Sequence, residues 1–290
     1  MVLIIFGLDL QWQSTYILHH IMDTSIHLCQ PDRTKSCGAC CGLYNYADSS
    51  RASLTERLRR RTALFQKMVS GPGDLRAFSE TVLSGEDGTK RYEVIYCCEY
   101  VGFLDARERR VGCLLHPVRH GGVDLREASF YGKELCEGHL CPSYHYIGRP
   151  EKLALIEIID DWYLWGLCIT DIDLVVTWFR LISEALGGMP EPVRFGLEPL
   201  RGIARAFFSF KTDWPFRSEA ANRFGKYYFD GSQYMINHID YEALGCERSP
   251  FDRIFLSLCS EFRDREEVER GETLIEENIE SFRRAYEAMF

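Results

Sequence analysis

Cys37-Gly38-Ala39-Cys40-Cys41 is the stretch on which the reading of this chain turns. Its three thiols are answered further along by Cys97, Cys98, Cys113, Cys136 and Cys141. With Cys29, nine of the twelve cysteines precede residue 142, and only three come after it. A chain of 290 residues that is 46% hydrophobic can fill a core without disulfide staples, so this crowding points to chemistry or metal rather than to cross-linking.

Metal binding needs reduced thiols, and the N-terminus bears on that. Met1-Val2-Leu3-Ile4-Ile5-Phe6-Gly7-Leu8 is apolar but lacks a basic leader and meets Asp9 at once, which makes a poor signal peptide. The longest apolar run further on, residues 153–167, is interrupted by Glu157, Asp160 and Asp161 and falls short of the roughly 20 residues that cross a bilayer. The expectation is a cytoplasmic protein with no membrane partner. Residues 1–21 differ in character from the rest of the chain and read either as an N-terminal extension or start-site artefact ahead of Met22-Asp23, or as an added strand over Val2 to Phe6.

The net charge of −9 is unevenly spread, at +1 over residues 1–150 and −10 over residues 151–290. An acidic second half argues against nucleic acid, whose phosphates call for a basic surface, and leaves a protein partner as the natural use of that half.

Leu54, Leu58, Leu64, Phe65 and Met68 approximate helical spacing over residues 51–69, with Ser53 and Glu56 as an expected capping box. Arg57, Arg59, Arg60 and Arg61 read as that helix's wet face. Gly71-Pro72-Gly73 breaks it, a short helix is expected over residues 74–83, and Ser84 to Gly88 has turn chemistry. Alternation from Arg91 predicts a strand over residues 91–98 that sends Cys97 and Cys98 to opposite faces. Residues 103–105 and 111–115 predict a small hairpin among the cysteines, and residues 116–143 a long loop anchored by Cys136 and Cys141.

Beyond Pro150 the period is helical. Leu153, Ile156, Ile159, Trp162 and Tyr163 predict one helix, and Leu174, Val175, Trp178, Leu181, Ile182 and Leu186 a second, closed by residues 187–192. Further helices are expected over residues 197–208, 250–262 and 266–289. The predicted architecture is therefore α+β: an irregular cysteine-rich unit with a short antiparallel hairpin, residues 22–149, packed on a mostly helical body, residues 150–290.

As ligands, Cys37 and Cys40 form a short arm of the kind seen in structural zinc sites and cysteine-ligated iron–sulfur clusters, and Cys113, Cys136 and Cys141 can complete the shell, with His139 a further candidate. Adjacent Cys40 and Cys41 do not readily chelate one ion together, which points to more than one metal atom. Cys168, Cys246 and Cys259 sit among apolar residues and read as core, as do Trp162, Trp165, Trp178, Phe179, Phe207 and Phe208. Cys29 and Cys97 stay open.

Other constellations are weaker. His19, His20, His116, His120, His139 and His145 have no nucleophile motif beside them, and Asp160-Asp161 and Asp171-x-Asp173 are read as solvated faces and helix caps.

Cys37-Gly-Ala-Cys40-Cys41, Cys98 with Phe103-Leu104-Asp105, Gly112-Cys113-Leu114-Leu115-His116-Pro117, and Cys136-x4-Cys141 together resemble the YkgJ-like cysteine-cluster family of zinc- or iron-chelating domains, over roughly residues 29–145. The resemblance implies a bacterial, cytosolic metal-binding protein with Cys37, Cys40, Cys41, Cys98, Cys113, Cys136 and Cys141 as ligands. The family motif opens Cys-x2-Cys-x2-Cys-Cys, and Thr34 stands where its first cysteine belongs, with Cys29 the nearby substitute. The same cluster occurs in flagellin lysine N-methylases that use S-adenosylmethionine, but this chain has no Gly-rich dinucleotide fingerprint to carry that activity over. Three functions stand as expectations: a zinc- or iron-chelating protein, an iron–sulfur-dependent enzyme, or a metal-stabilised protein-interaction module.

Overall fold

A computed structural model describes residues 26–220, 222–230 and 233–290. The expectations for residues 1–21 lie outside them. Helix and antiparallel sheet are both present, as an α+β chain requires. The helices are α1 (Arg51–Met68), α2 (Leu75–Gly85), α3 (Gly132–Gly138), α4 (Ser143–Tyr146), α5 (Arg149–Ile158), α6 (Trp162–Ile169), α7 (Ile172–Leu186), α8 (Leu200–Asp213), α9 (Asp252–Ser257) and α10 (Arg265–Met289). Strands β1 (Val101–Phe103) and β2 (Val111–Cys113) form the hairpin, with Val101 opposite Cys113. A second sheet, β3 (Arg223–Phe224), β4 (Tyr227–Asp230) and β5 (Gln233–Ile236), was not foreseen.

Two hydrophobic cores organise these elements. One lies between α1, α2 and the hairpin and holds Leu54, Leu58, Phe65, Phe78, Val82, Tyr100, Val111 and Leu114. The other is enclosed by α5 to α10 around Trp178, whose ring meets Phe179, Phe195, Phe207, Phe208 and Phe282 at centroid distances of 5.0 to 6.2 Å. The aromatics read as core are buried.

The cores interlock across the middle of the chain. Trp162 and Tyr163 of α6 pack into the first, whereas Leu28, Cys141, Tyr144 and Ile147 pack into the second. Tyr44 stands at the junction: its hydroxyl lies 3.3 and 3.2 Å from the carbonyls of Trp162 and Tyr163, above Gly166. Trp165 ties Leu28 down through an Nε1–H bond to its carbonyl at 3.0 Å.

Several local expectations are corrected. The cap of α1 is Ser50, whose hydroxyl accepts from the Ser53 amide at 3.3 Å, not a box made by Ser53 and Glu56. Residues 91–98 are no strand. Asn45 takes up their backbone groups, donating to the carbonyls of Tyr92 (2.9 Å) and Ile95 (3.1 Å) and accepting from the Tyr92 amide (3.1 Å), and the neighbouring bridge Tyr46–Lys90 stays isolated. The single helix expected from Leu153 to Tyr163 is two, because Asp161 caps a new one by accepting from the Leu164 amide at 2.9 Å. Asp171 caps α7 in the same way, so both carboxylate pairs include a cap.

The supposed wet face of α1 is corrected too. Arg61 is 2% exposed and, with Arg57, ion-pairs with Glu86. Only Arg59, paired with Glu108 at 2.6 Å, is well exposed among the ion pairs of that run. Among the described residues no helix is long and apolar enough to cross a membrane.

Candidate metal centre

Gly42 makes the convergence of the cysteines possible. It adopts φ +76°, ψ 13°, and a Cβ there would stand 2.2 Å from the Tyr96 carbonyl oxygen. Only a glycine lets the turn after Cys41 lie against residues 96–98. The Cys98 amide then donates to the Cys41 carbonyl at 2.9 Å. On the other side the Cys37 amide donates to the Cys29 carbonyl at 2.8 Å, bringing Cys29 to the same turn.

More distant elements complete the gathering. The hairpin carries Cys113 back beside Val101, three residues after Cys98. Arg61 reaches from α1 to donate to the Cys98 carbonyl at 2.9 Å and to the Tyr46 hydroxyl at 2.7 Å. Cys136 sits on α3, 3.6 Å from the Ser129 hydroxyl, and Cys141 lies between α3 and α4. All twelve cysteines are free thiols.

The thiols also act on one another's ionisation. Burial pushes Cys29 up to about 11, with Cys141 adding to the rise. Burial also raises Cys37, which meets Cys29 and Cys141. The influence of Cys141, then burial, holds the Cys40 proton on, and Cys40 in turn draws Cys141 down, toward the thiolate; Ser143 and the amides of Ser143 and Tyr144 add to the latter effect. Cys41, by contrast, is raised by burial and then by Cys98, Cys113 and Cys136, with Cys29 the weakest of its neighbours. Burial takes Cys98 to about 12 and Cys113 to about 11, with Cys113 acting on the first and Cys136 on the second.

The seven cysteines expected as ligands, and Cys29 with them, are thus linked by backbone contacts at Cys29–Cys37 and Cys41–Cys98 and by their effects on one another's ionisation. Cys97 turns away, donating to the Gly42 carbonyl at 3.3 Å and receiving Asn45 Nδ2 at 3.6 Å. His139 is exposed, while His116 and His120 are engaged with the Val118 amide and the Leu114 carbonyl. Of the cysteines read as core, Cys168 and Cys259 are buried and Cys246 is partly so. Tyr96, Phe130 and Tyr131 stack beside the Cys41 neighbourhood at 4.8 to 5.5 Å, an aromatic wall that the spacing of the sequence does not show.

The thiols are gathered but not closed round a point: among the described residues no three or more Cys, His, Asp or Glu side chains stand arranged as a ready metal shell. As a donor set they fit a thiophilic metal. They are soft and supplied with amide donors, at Cys37 from Ala39 (3.4 Å) and at Cys98 from Tyr100, with Cys98 and Cys141 buried and Cys40 and Cys136 exposed. Comparison with models of known families, with curated proteins and with solved structures found no match.

Proposed function

We propose that this protein chelates zinc or iron through Cys37, Cys40, Cys41, Cys98, Cys113, Cys136 and Cys141. One observation supports the reading: the Gly42 turn sets the Cys41 carbonyl on the Cys98 amide at 2.9 Å while the hairpin returns Cys113 beside Val101, so free thiols from separate stretches of chain crowd together and Cys41, Cys98 and Cys113 resist ionisation, a crowding that a bound cation relieves. The resemblance to the YkgJ-like family points the same way. A zinc ion in a thiolate shell would tie the loop residues to the hairpin, and an iron–sulfur cluster would supply electron transfer. Binding costs each ligand its proton, so affinity rises with pH.

The test is anaerobic purification followed by elemental analysis and an ultraviolet–visible spectrum, on wild type and on Cys40→Ser with Cys113→Ser. Stoichiometric zinc, or iron with sulfide and broad visible absorption, lost in the double variant, is expected. A folded wild-type protein that takes up neither metal sinks the proposal.

A further inference from the structure

We infer that Arg91, Arg217 and Arg223 form a binding site for a phosphate group, on the seam where residues 48–49 and 91 meet the stretch between α8 and β3. The site lies apart from the cysteines proposed as ligands and does not rest on the metal reading.

Arg217 is held by backbone on both sides. The Ser218 amide donates to the Cys259 carbonyl at 2.8 Å and the Glu261 amide to the Phe216 carbonyl at 2.9 Å, so Arg217 stands in an antiparallel bridge with Ser260. From there its Nη1 lies 3.8 Å from Cys259 Sγ, and its Nη2 donates to the Lys211 carbonyl. Arg91 arrives from the other half of the chain. Its Nη1 donates to the Arg223 carbonyl at 3.4 Å and its Nη2 to the Ser49 hydroxyl at 3.3 Å. The Ser49 carbonyl receives the Tyr163 hydroxyl at 2.9 Å, which ties α6 to the same seam.

Among the described residues no carboxylate pairs with Arg217 or Arg223, and Arg217 Nε and Arg223 Nη1 are buried with no hydrogen-bond partner. Buried arginines elsewhere are served: Arg57 and Arg61 by Glu86, and Arg126 by Asp124. Burial holds the Arg91 guanidinium below the ordinary arginine value; Cys259 opposes that effect, and Arg217 adds to it by more than exposed Asp48 offsets. On Tyr163, too, Arg217 and Arg91 act more strongly than Asp48. Like charges in a partly desolvated seam repel, and each unmet N–H is a donor withdrawn from water.

A phosphate dianion answers both costs. Its charge offsets the crowded guanidinium groups, and its oxygens accept several N–H bonds at once in the fork geometry that arginine offers. All three residues are half-buried rather than enclosed, so their side chains reach a ligand from solvent by turning outward. Free phosphate and a phosphate ester present the same oxygens, and the test separates them.

The full-length protein is titrated calorimetrically with inorganic phosphate, with phenyl phosphate and, as a carboxylate probe, with citrate, at constant ionic strength. Saturable binding of one phosphate per chain is expected. Arg91→Gln, Arg217→Gln and Arg223→Gln should each weaken it about 10- to 100-fold, the loss of one charged hydrogen-bonding group. Arg76→Gln, on the exposed surface of α2, should leave it unchanged. Tighter binding of phenyl phosphate assigns the site to an ester, and equal or weaker binding assigns it to free phosphate. Phosphate also stabilises proteins by exclusion from their surfaces, so a rise in melting temperature supports the site only when Arg217→Gln removes it.

A wild-type protein that binds no phosphate saturably overturns the inference, and so does binding that survives all three substitutions. Citrate bound where phosphate is refused overturns the assignment to phosphate. Should Arg217→Gln not fold, Arg223→Gln and the wild-type isotherm decide.

Discussion

Gly42 has more depending on it than any single cysteine. Its left-handed backbone costs any side chain roughly 1–3 kcal/mol, before the collision of a Cβ with the Tyr96 carbonyl at 2.2 Å. Gly42→Ala is expected to lower stability by at least that much and, on the proposed metal reading, to weaken zinc uptake. Urea unfolding and zinc stoichiometry of the variant check the two halves of the statement. The thiols themselves set a pH dependence. Cys29, Cys98 and Cys113 have folded pKa values of about 11, 12 and 11, above the ordinary thiol value, so the folded chain holds protons that the unfolded chain releases. Their contribution to the stability of the metal-free protein is complete below the ordinary thiol pKa and is lost as pH rises through about 9 toward 12. Melting temperatures of reduced, metal-free protein from pH 7 to alkaline pH should fall accordingly, and a flat profile over that window would contradict the burial of these thiols.

At the scale of elements, α1 acts as the brace of the cysteine region. Its Arg61 pairs with Glu86 at 2.7 Å, both side chains nearly inaccessible, and holds the Cys98 carbonyl and the Tyr46 hydroxyl besides. Removing one partner of such a pair strands a buried charge. Arg61→Met is therefore expected to cost about 3–5 kcal/mol in chemical denaturation. Arg76 of α2 provides the contrast: its pair with Glu80 at 2.9 Å lies on the surface, and Arg76→Ala should change stability by less than about 1 kcal/mol. Equal effects of the two variants would show that burial is not what distinguishes them. Nothing in the run Arg57 to Arg61 announces this difference, because helical periodicity places residues on faces without saying what covers each face.

Across the whole molecule the decisive contact is the junction of the two cores. Gly166 leaves room for the Tyr44 hydroxyl, and a Cβ at residue 166 would come 2.0 Å from it. Gly166→Ala should push the cysteine region off α6 and destabilise by roughly 1–3 kcal/mol, as overpacking of tight interiors does. Paired with Tyr44→Phe, which takes away the clashing oxygen, it should recover part of that loss; thermal unfolding of both variants measures the rescue. Each core borrows residues from the other's stretch of sequence, Trp162 and Tyr163 one way and Leu28 and Cys141 the other, so packing crosses the chain position between residues 149 and 150.

By itself the sequence determined much of the local structure. Hydrophobic spacing located α1, α7 and α10 to within a residue or two, and the short extended segments 103–105 and 111–115 located the hairpin, since these depend on period and on residues close in the chain. The crowding of thiols marked the candidate centre. Only the tertiary structure decided which thiols are neighbours, that Cys29 joins and Cys97 leaves, that residues 91–98 are wound round Asn45 rather than extended, and that the basic run of α1 is partly buried. The physical reason is common to all four. Each outcome depends on which distant segment supplies the partner for a backbone group, a sulfur or a charge, and no local period encodes that choice.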